Sequence, residues 1–178
     1  DLLMAISKQT YGINKRVLEK FGETYQDWQI KYIPHGVSEK FYPITDESEL
    51  KKVDELKDKL GISNKKFVVL YNNRNIRRKN PGDVVLAYKH LCDNLTKEQA
   101  DECCLLLHTQ QVDSNGTDLP EVIKNVCPDY DVVFTNMKFE TEGLNVLYNL
   151  SDVTVNMASN EGFGLATCES IKSGTPIV

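Results

Sequence analysis

Val153-Thr154-Val155-Asn156 leads into Ser159-Asn160-Glu161-Gly162-Phe163-Gly164-Leu165-Ala166-Thr167-Cys168-Glu169-Ser170. The first part alternates β-branched residues and reads as a buried strand. Leu165 to Ser173 reads as a helix, closed by Gly174 and then Pro176. Between them lies a turn with two glycines, which let a backbone approach a ligand or take φ > 0. The amides after Glu161 are then placed to meet an anion, with the positive end of a helix dipole behind them. Such a site is worth roughly 0.3–1 kcal/mol to an anion, and up to about 2 kcal/mol when partly buried. Glu161 and Glu169 flank the same turn. Carboxylates repel phosphate and pair with hydroxyl groups, so a ligand that suits both features carries phosphates and many hydroxyls, as a nucleotide sugar does. The spacing by itself also fits a βα turn that merely needs glycine, with two solvated glutamates.

Upstream, apolar strands alternate with helices. Phe67–Tyr71, Cys104–His108 and Asp131–Thr135 read as strands, and Phe67-Val68-Val69-Leu70-Tyr71 is the near-continuous apolar run of a buried parallel strand. Residues 46–60, Pro81–Leu91, Lys97–Cys104, Leu119–Val126 and Thr141–Leu150 read as helices. In the first of these, Leu50, Val53, Leu56 and Leu60 share one face. Strict alternation implies an α/β fold, a Rossmann-like parallel sheet with helices on both faces. Ligands of such sheets bind beyond the carboxyl ends of the strands. The Glu161 turn, the loop after Thr135 and the stretch Asn72-Asn73-Arg74-Asn75-Ile76-Arg77-Arg78-Lys79-Asn80 are all expected on that rim. Arg74, Arg77, Arg78 and Lys79 cluster in an otherwise acidic chain, and guanidinium and ammonium groups suit phosphate. A solvated basic loop is the alternative. The polar run from His108 to Leu119 fits either a ligand-side loop or a plain surface loop, with His108 as a core or strand-end residue.

Leu2–Ile6, Tyr11–Phe21 and Gln29–Ile33 read as strand, helix and strand, with Ile13, Val17, Leu18 and Phe21 on one helical face. Pro34-His35-Gly36-Val37 and Phe41-Tyr42-Pro43 predict an extended linker, in which His35 is a surface residue or a substrate contact. The expected organisation is a βαβ piece of a second Rossmann-like domain at 1–33, a linker at 34–45 and the larger domain at 46–178. Residue 1 runs straight into an apolar stretch and residue 178 stops within another, so a piece of a longer protein is expected.

Composition narrows the class. Hydrophobic residues make up 40% of the 178, as in a globular protein. A net charge of -5 argues against general nucleic-acid binding. No apolar run approaches a membrane span and no signal peptide is visible. The five cysteines lack metal spacing and read as reduced core or near-core thiols of a cytoplasmic protein. Asn94, Asn115 and Asn149 begin glycosylation-type triplets, which are common by chance, and Asn149 falls in a predicted helix. No Gly-x-Gly-x-x-Gly follows the early strand, which argues against a dinucleotide dehydrogenase.

Glu161 and Glu169, with Gly162-Phe163-Gly164 and Ser173-Gly174-Thr175-Pro176 around them, resemble the Glu-x7-Glu motif of the family 4 (group 1) retaining glycosyltransferases. Arg74 and Lys79 resemble that family's Arg and Lys five residues apart, which sit on the donor diphosphate. The phrase from Pro34 to Pro43 resembles its interdomain connection, and residues 1–33 the end of its N-terminal, acceptor-side domain. The polar loop after His108 departs from the commonest pattern, which has a glycine-rich turn there. The resemblance implies a GT-B fold and transfer of a hexose from a GDP- or UDP-sugar, with a lean to GDP-mannose. The acceptor is a glycan, lipid or protein, the anomeric configuration is retained, and neither metal nor cofactor takes part. It implies that Glu161 accepts hydroxyl protons of the donor sugar, that Glu169 binds the ribose, and that Arg74, Lys79 and the amides of Gly162, Phe163, Gly164 and Leu165 face the diphosphate. Thr135, Asn136 and Met137 would border the base, mainly through backbone groups. Retention by a covalent Glu161 intermediate and by same-face attack both fit the residues. A span with so little of the acceptor-side domain is expected to bind donor and to transfer poorly or not at all. An epimerase or phosphorylase on the same fold, or a non-catalytic nucleotide-sugar-binding module, are the alternatives.

Overall fold

The computed structural model describes residues 2–178. The backbone divides into two compact units, one running up to residue 37 and including 161–164, the other formed by 38–160 and 165–178.

The first unit contains β1 (Leu3–Ala5), α1 (Lys8–Lys20) and β2 (Ile30–Tyr32). The strands are parallel, with Leu3 beside Ile30 and Ala5 beside Tyr32. α1 starts three residues before the expected Tyr11 because Ser7 caps it, its hydroxyl accepting from the Thr10 amide at 3.0 Å. No residue of α1 is buried; Ile13, Val17 and Phe21 of the expected apolar face are exposed. Within 161–164, Gly164 has a φ of +85°, the left-handed region glycine tolerates. Gly162 does not take a positive φ, and a side chain there would meet only the Ile6 methyl at ordinary distance, so backbone conformation does not require glycine at this position. The His35 ring stands edge-on to Phe163, centroids 5.1 Å apart.

The second unit is a four-stranded parallel sheet of order β5-β4-β3-β6, built from β3 (Phe67–Asn72), β4 (Cys103–His108), β5 (Val132–Phe134) and β6 (Val153–Thr154). Helices α2 (Glu47–Leu60), α3 (Pro81–Asp93), α4 (Lys97–Asp101), α5 (Leu119–Val126), α6 (Thr141–Leu150) and α7 (Leu165–Lys172) connect and cover it on both faces. Val69 and Tyr71 of β3 and Cys103, Leu105 and Leu107 of β4 pack with Val84, Val85, Tyr88, Leu119 and Cys127 of α3 and the α5 segment. The alternate residues Val68, Leu70, Cys104 and Leu106 are equally buried, which is why both strands read as apolar runs without alternation. Asp46 caps α2, accepting from the Ser48 amide at 2.8 Å; Val53 and Leu56 are buried, whereas Leu50 lies outside the core.

Two expected boundaries move. The helix expected over Lys97–Cys104 stops at Asp101, and Cys103 and Cys104 instead pair with Phe67 and Val68 as the first residues of β4. Three more helical residues are worth less than a full parallel ladder beside a buried strand. β6 has only two strand residues, but Val155 N donates to Leu70 O at 2.8 Å and Asn156 N to Val178 O at 2.7 Å, so the pairing continues. Among the described residues all five cysteines are free, four of them buried, and burial pushes the thiols of Cys104 and Cys127 up to about 12 and 11.

Register decides where the site lies. Asn72, the last residue of β3, is directly beside His108, the last of β4, and Leu107 is beside Phe134, the last of β5. The following loops therefore leave the sheet along one rim.

Candidate functional site

An open cleft of about 850 Å³ lies on this rim, lined by residues of 72–74, 108–115 and 135–138. Arg74, Thr135, Asn136 and Met137, four of the residues singled out from sequence, all line it. The other members are placed differently. Glu169, in α7, is half-buried behind the rim and joined to it by a relay: the Tyr148 hydroxyl donates to its carboxylate at 3.0 Å, and the Asn72 amide donates to that hydroxyl at 2.7 Å. Burial, with the Glu169 charge adding to it, pushes the Tyr148 hydroxyl well above its ordinary range, so it remains a donor to the carboxylate at any working pH. Lys79 sits in a short 3-10 turn (Arg77–Lys79), is 8% exposed, and its carbonyl accepts from the Tyr71 hydroxyl at 3.3 Å. Leu165 opens α7 and is largely exposed. Glu161, Gly162, Phe163 and Gly164 group with the first unit.

The basic wall of the cleft is organised by a residue that the sequence did not mark. Asn75 is fully buried. Its amide donates to the carbonyls of Gln110 at 3.1 Å and Thr117 at 2.6 Å, and its oxygen accepts from the Thr117 amide at 2.9 Å. One side chain thereby binds the polar loop after β4 to the basic loop after β3. The backbones meet so closely that a side chain at Gly116 would collide with the carbonyl and amide oxygens of Asn75. Arg77 N also donates to Asn115 O at 3.1 Å. The loop turns on Asp113, whose carboxylate accepts from the Asn115 amide at 2.9 Å and pairs with the Arg74 guanidinium at 3.5 Å. Glycine within a polar loop was the only legible sign of this close approach.

The opposite wall carries His108 and the loop after β5. The His108 ring bonds the Thr135 hydroxyl through Nδ1 at 2.8 Å and tilts against Phe139, centroids 5.2 Å apart. Burial lowers its pKa from the ordinary value, which keeps the imidazole neutral near pH 7. His108 is thus a strand-end residue that also faces the cleft, and the polar loop is both structural and part of its lining. The Thr135 amide donates to Leu107 O at 3.1 Å and is committed to the sheet, whereas 136–138 also line the cleft. Asn136 takes a left-handed φ of +50°, which Asn tolerates better than most residues, and accepts from the Gln111 amide at 2.7 Å.

Chemically, the rim offers a guanidinium paired with the Asp113 carboxylate beside amide and hydroxyl groups at one end, and neutral polar side chains together with Lys138 at the other. Such a cleft can hold an anionic group next to a planar polar one. No helix among the described residues is long and apolar enough to cross a membrane.

Comparison with known proteins bears on this geometry. The family model described as "Glycosyl transferases group 1" matches residues 52–178. The alpha-monoglucosyldiacylglycerol synthase of Acholeplasma laidlawii is 26% identical over 92% of the chain, which spans 39% of that protein. Among solved structures, Anabaena HepE in complex with UDP and glucose superposes with a TM-score of 0.68 at 19% identity, covering 99% of this chain and 43% of that one. An Escherichia coli trehalose-6-phosphate structure bound with UDP-2-fluoro glucose gives 0.63 at 15% identity, covering 97% and 43%. At these identities the superpositions speak for the fold alone, and it is the expected GT-B type of α/β sheet.

Proposed function

The chain belongs to the glycosyl transferases group 1 family, and on that footing we propose that it supplies the donor-binding part of a retaining hexosyltransferase that uses a UDP-sugar, with UDP-glucose the first candidate. The observation that carries this reading is the rim cleft, where Arg74 lies at one end and Thr135, Asn136 and Met137 at the other. A nucleoside diphosphate fits that order of groups, with phosphates toward Arg74 and base toward the loop after β5. The relatives tilt the choice of donor from GDP-mannose to a UDP-hexose, because HepE was solved with UDP and glucose and the trehalose-6-phosphate structure with UDP-2-fluoro glucose. The curated relative is a glycolipid synthase, so a lipid leads the three acceptor classes.

As the bond between the sugar and the diphosphate breaks, its electron pair moves onto the phosphate oxygen. Arg74 and Lys79 stabilise that charge, together with the amides around Gly164-Leu165, and this role asks for no metal. Glu169, aligned by the Tyr148 hydroxyl, accepts from the ribose hydroxyls. Glu161 keeps the role the motif implies, hydrogen bonding to hydroxyls of the donor sugar. The acceptor oxygen forms the new bond on the face the diphosphate leaves, and its proton passes to a departing phosphate oxygen.

Calorimetric titration with UDP, UDP-glucose, GDP and GDP-mannose tests the reading on wild type, Arg74→Ala and Glu169→Ala. UDP and UDP-glucose should bind saturably, and each variant should weaken them on the order of ten-fold or more, the worth of one charged hydrogen bond. Binding of no nucleotide, or equal binding by all three proteins, would sink it.

A further inference from the structure

The basic loop borders a second cleft. It measures about 550 Å³ and is lined by Arg74, Ile76, Arg77, Arg78, Ser114 and Asn115. Arg74, Ser114 and Asn115 also line the larger cleft, so they form the border between the two. No carboxylate lines the smaller one, although the chain as a whole carries a net charge of -5. Two of its arginines have protein partners: Arg74 pairs with Asp113 at 3.5 Å, and the Arg78 guanidinium donates to the Asn160 carbonyl at 2.8 Å. Arg77 is exposed and makes no side-chain hydrogen bond or ion pair among the described residues.

The walls are held in advance of any ligand. Asn75, fully buried, ties 110 and 117 to the basic loop, Arg77 N holds Asn115 O at 3.1 Å, and the Gly116 amide closes the turn onto Asp113 O at 2.9 Å. The device works on backbone groups, so it sets the spacing of the Arg77 stem against the Ser114-Asn115 corner without using the guanidinium itself. Preorganisation of this kind lowers the ordering cost of binding. The groups facing the cleft are guanidinium donors, the Ser114 hydroxyl and the Asn115 amide, the last two joined by a long hydrogen bond of 3.5 Å, and all of them can donate to a tetrahedral oxyanion.

We propose that this cleft is a second phosphoryl-binding subsite that takes a phosphomonoester dianion, with Arg77 as its principal ligand and Ser114 and Asn115 completing it. A planar guanidinium fork meets two phosphate oxygens at once, which a solvated lysine does not. The subsite is separate from the donor diphosphate, and it rests on the donor reading only in making Arg74 the shared border. The phosphoryl group has two potential sources, a phosphorylated organic molecule and free inorganic phosphate.

Inorganic phosphate and glucose 6-phosphate, with glucose as the uncharged control, are titrated into the protein with and without saturating UDP. The proteins are wild type, Arg77→Ala and Lys97→Ala, the last a charge-matched change on α4 at the amino end of the sheet. Arg77 has no partner to lose, so its replacement should leave folding and UDP affinity unchanged. The expected result is saturable phosphate binding that persists with UDP present and weakens on the order of ten-fold or more in Arg77→Ala but not in Lys97→Ala. Tighter binding of glucose 6-phosphate than of inorganic phosphate assigns the subsite to a phosphorylated molecule; equal binding assigns it to the free ion. Phosphate binding that disappears when UDP is added, or that Arg77→Ala leaves intact, overturns the proposal. If UDP fails to bind while Arg77-dependent phosphate binding remains, the donor reading fails and the subsite stands.

Discussion

The wall of the cleft made by 73–79 and 109–117 is tied through one fully buried amide that bonds backbone to backbone, whereas the wall made by His108 and 135–138 is tied through side chains, some of them exposed. The Asn75 end of its bonds is shielded from water, while the Gln111–Asn136 bond lies where water can replace either partner. A wall that must present guanidinium groups at fixed spacing gains from the first construction. A wall that must adapt to a base or a sugar gains from the second. Rigidity here follows burial of the tie and not the number of charges in the loop.

The largest test of this contrast is Asn75→Ala. It leaves the carbonyls of Gln110 and Thr117 and the Thr117 amide without their partner, and we expect a loss of roughly 2–4 kcal/mol in urea unfolding. A loss below about 0.5 kcal/mol would mean that water takes over these bonds and that the wall is not locked.

A smaller, pH-dependent effect belongs to His108. Its folded pKa is depressed by burial, while the unfolded chain takes up the proton near the ordinary 6.5. The unfolded state therefore binds more protons as the pH falls below 6.5. The stability due to the neutral ring is complete above that value and is lost as the pH drops through the folded pKa. Unfolding curves of wild type and His108→Gln between pH 7.5 and 5 should diverge, with wild type losing more on acidification. Parallel curves would show that the ring is effectively solvated.

The smallest effect is expected on the adaptable wall. Asn136→Gly keeps the left-handed backbone and removes only an exposed side-chain bond, so thermal unfolding should change by no more than about 0.5 kcal/mol. Asn136→Ala should cost about 1 kcal/mol more, because it adds a strained φ. If this wall governs base preference, Asn136→Gly shifts the ratio of UDP to GDP affinity, while Arg74→Ala lowers both alike. A constant ratio in Asn136→Gly would remove that role.

The stretch Phe67–Tyr71 could be read because a parallel strand buried on both faces needs an unbroken apolar run, and few other structures do. Leu119–Val126 and Thr141–Leu150 could be read to the residue because apolar spacing is local, although only the first has a side-chain cap, Asp118. Cys103 could not, and Cys104 was read both as a helix end and as a strand start, since their strand state depends on Phe67 and Val68, more than thirty residues away along the chain. The Arg74 cluster was visible as a run of charge, but Asn75, in its middle, looked like any loop asparagine. Its partners lie at 110 and 117, and no local pattern announces them.

The sequence by itself determined the alternation of strand and helix, the apolar core and the charge of the rim loops, because periodicity, capping and side-chain chemistry act over a few residues. Only the tertiary structure decided that Asn72 and His108 end side by side, that Asn75 locks one wall, and that Glu169 reaches the rim through Tyr148 and Asn72. These depend on strand register and on pairings between distant segments, and such pairings form only once the sheet has brought the loop ends together.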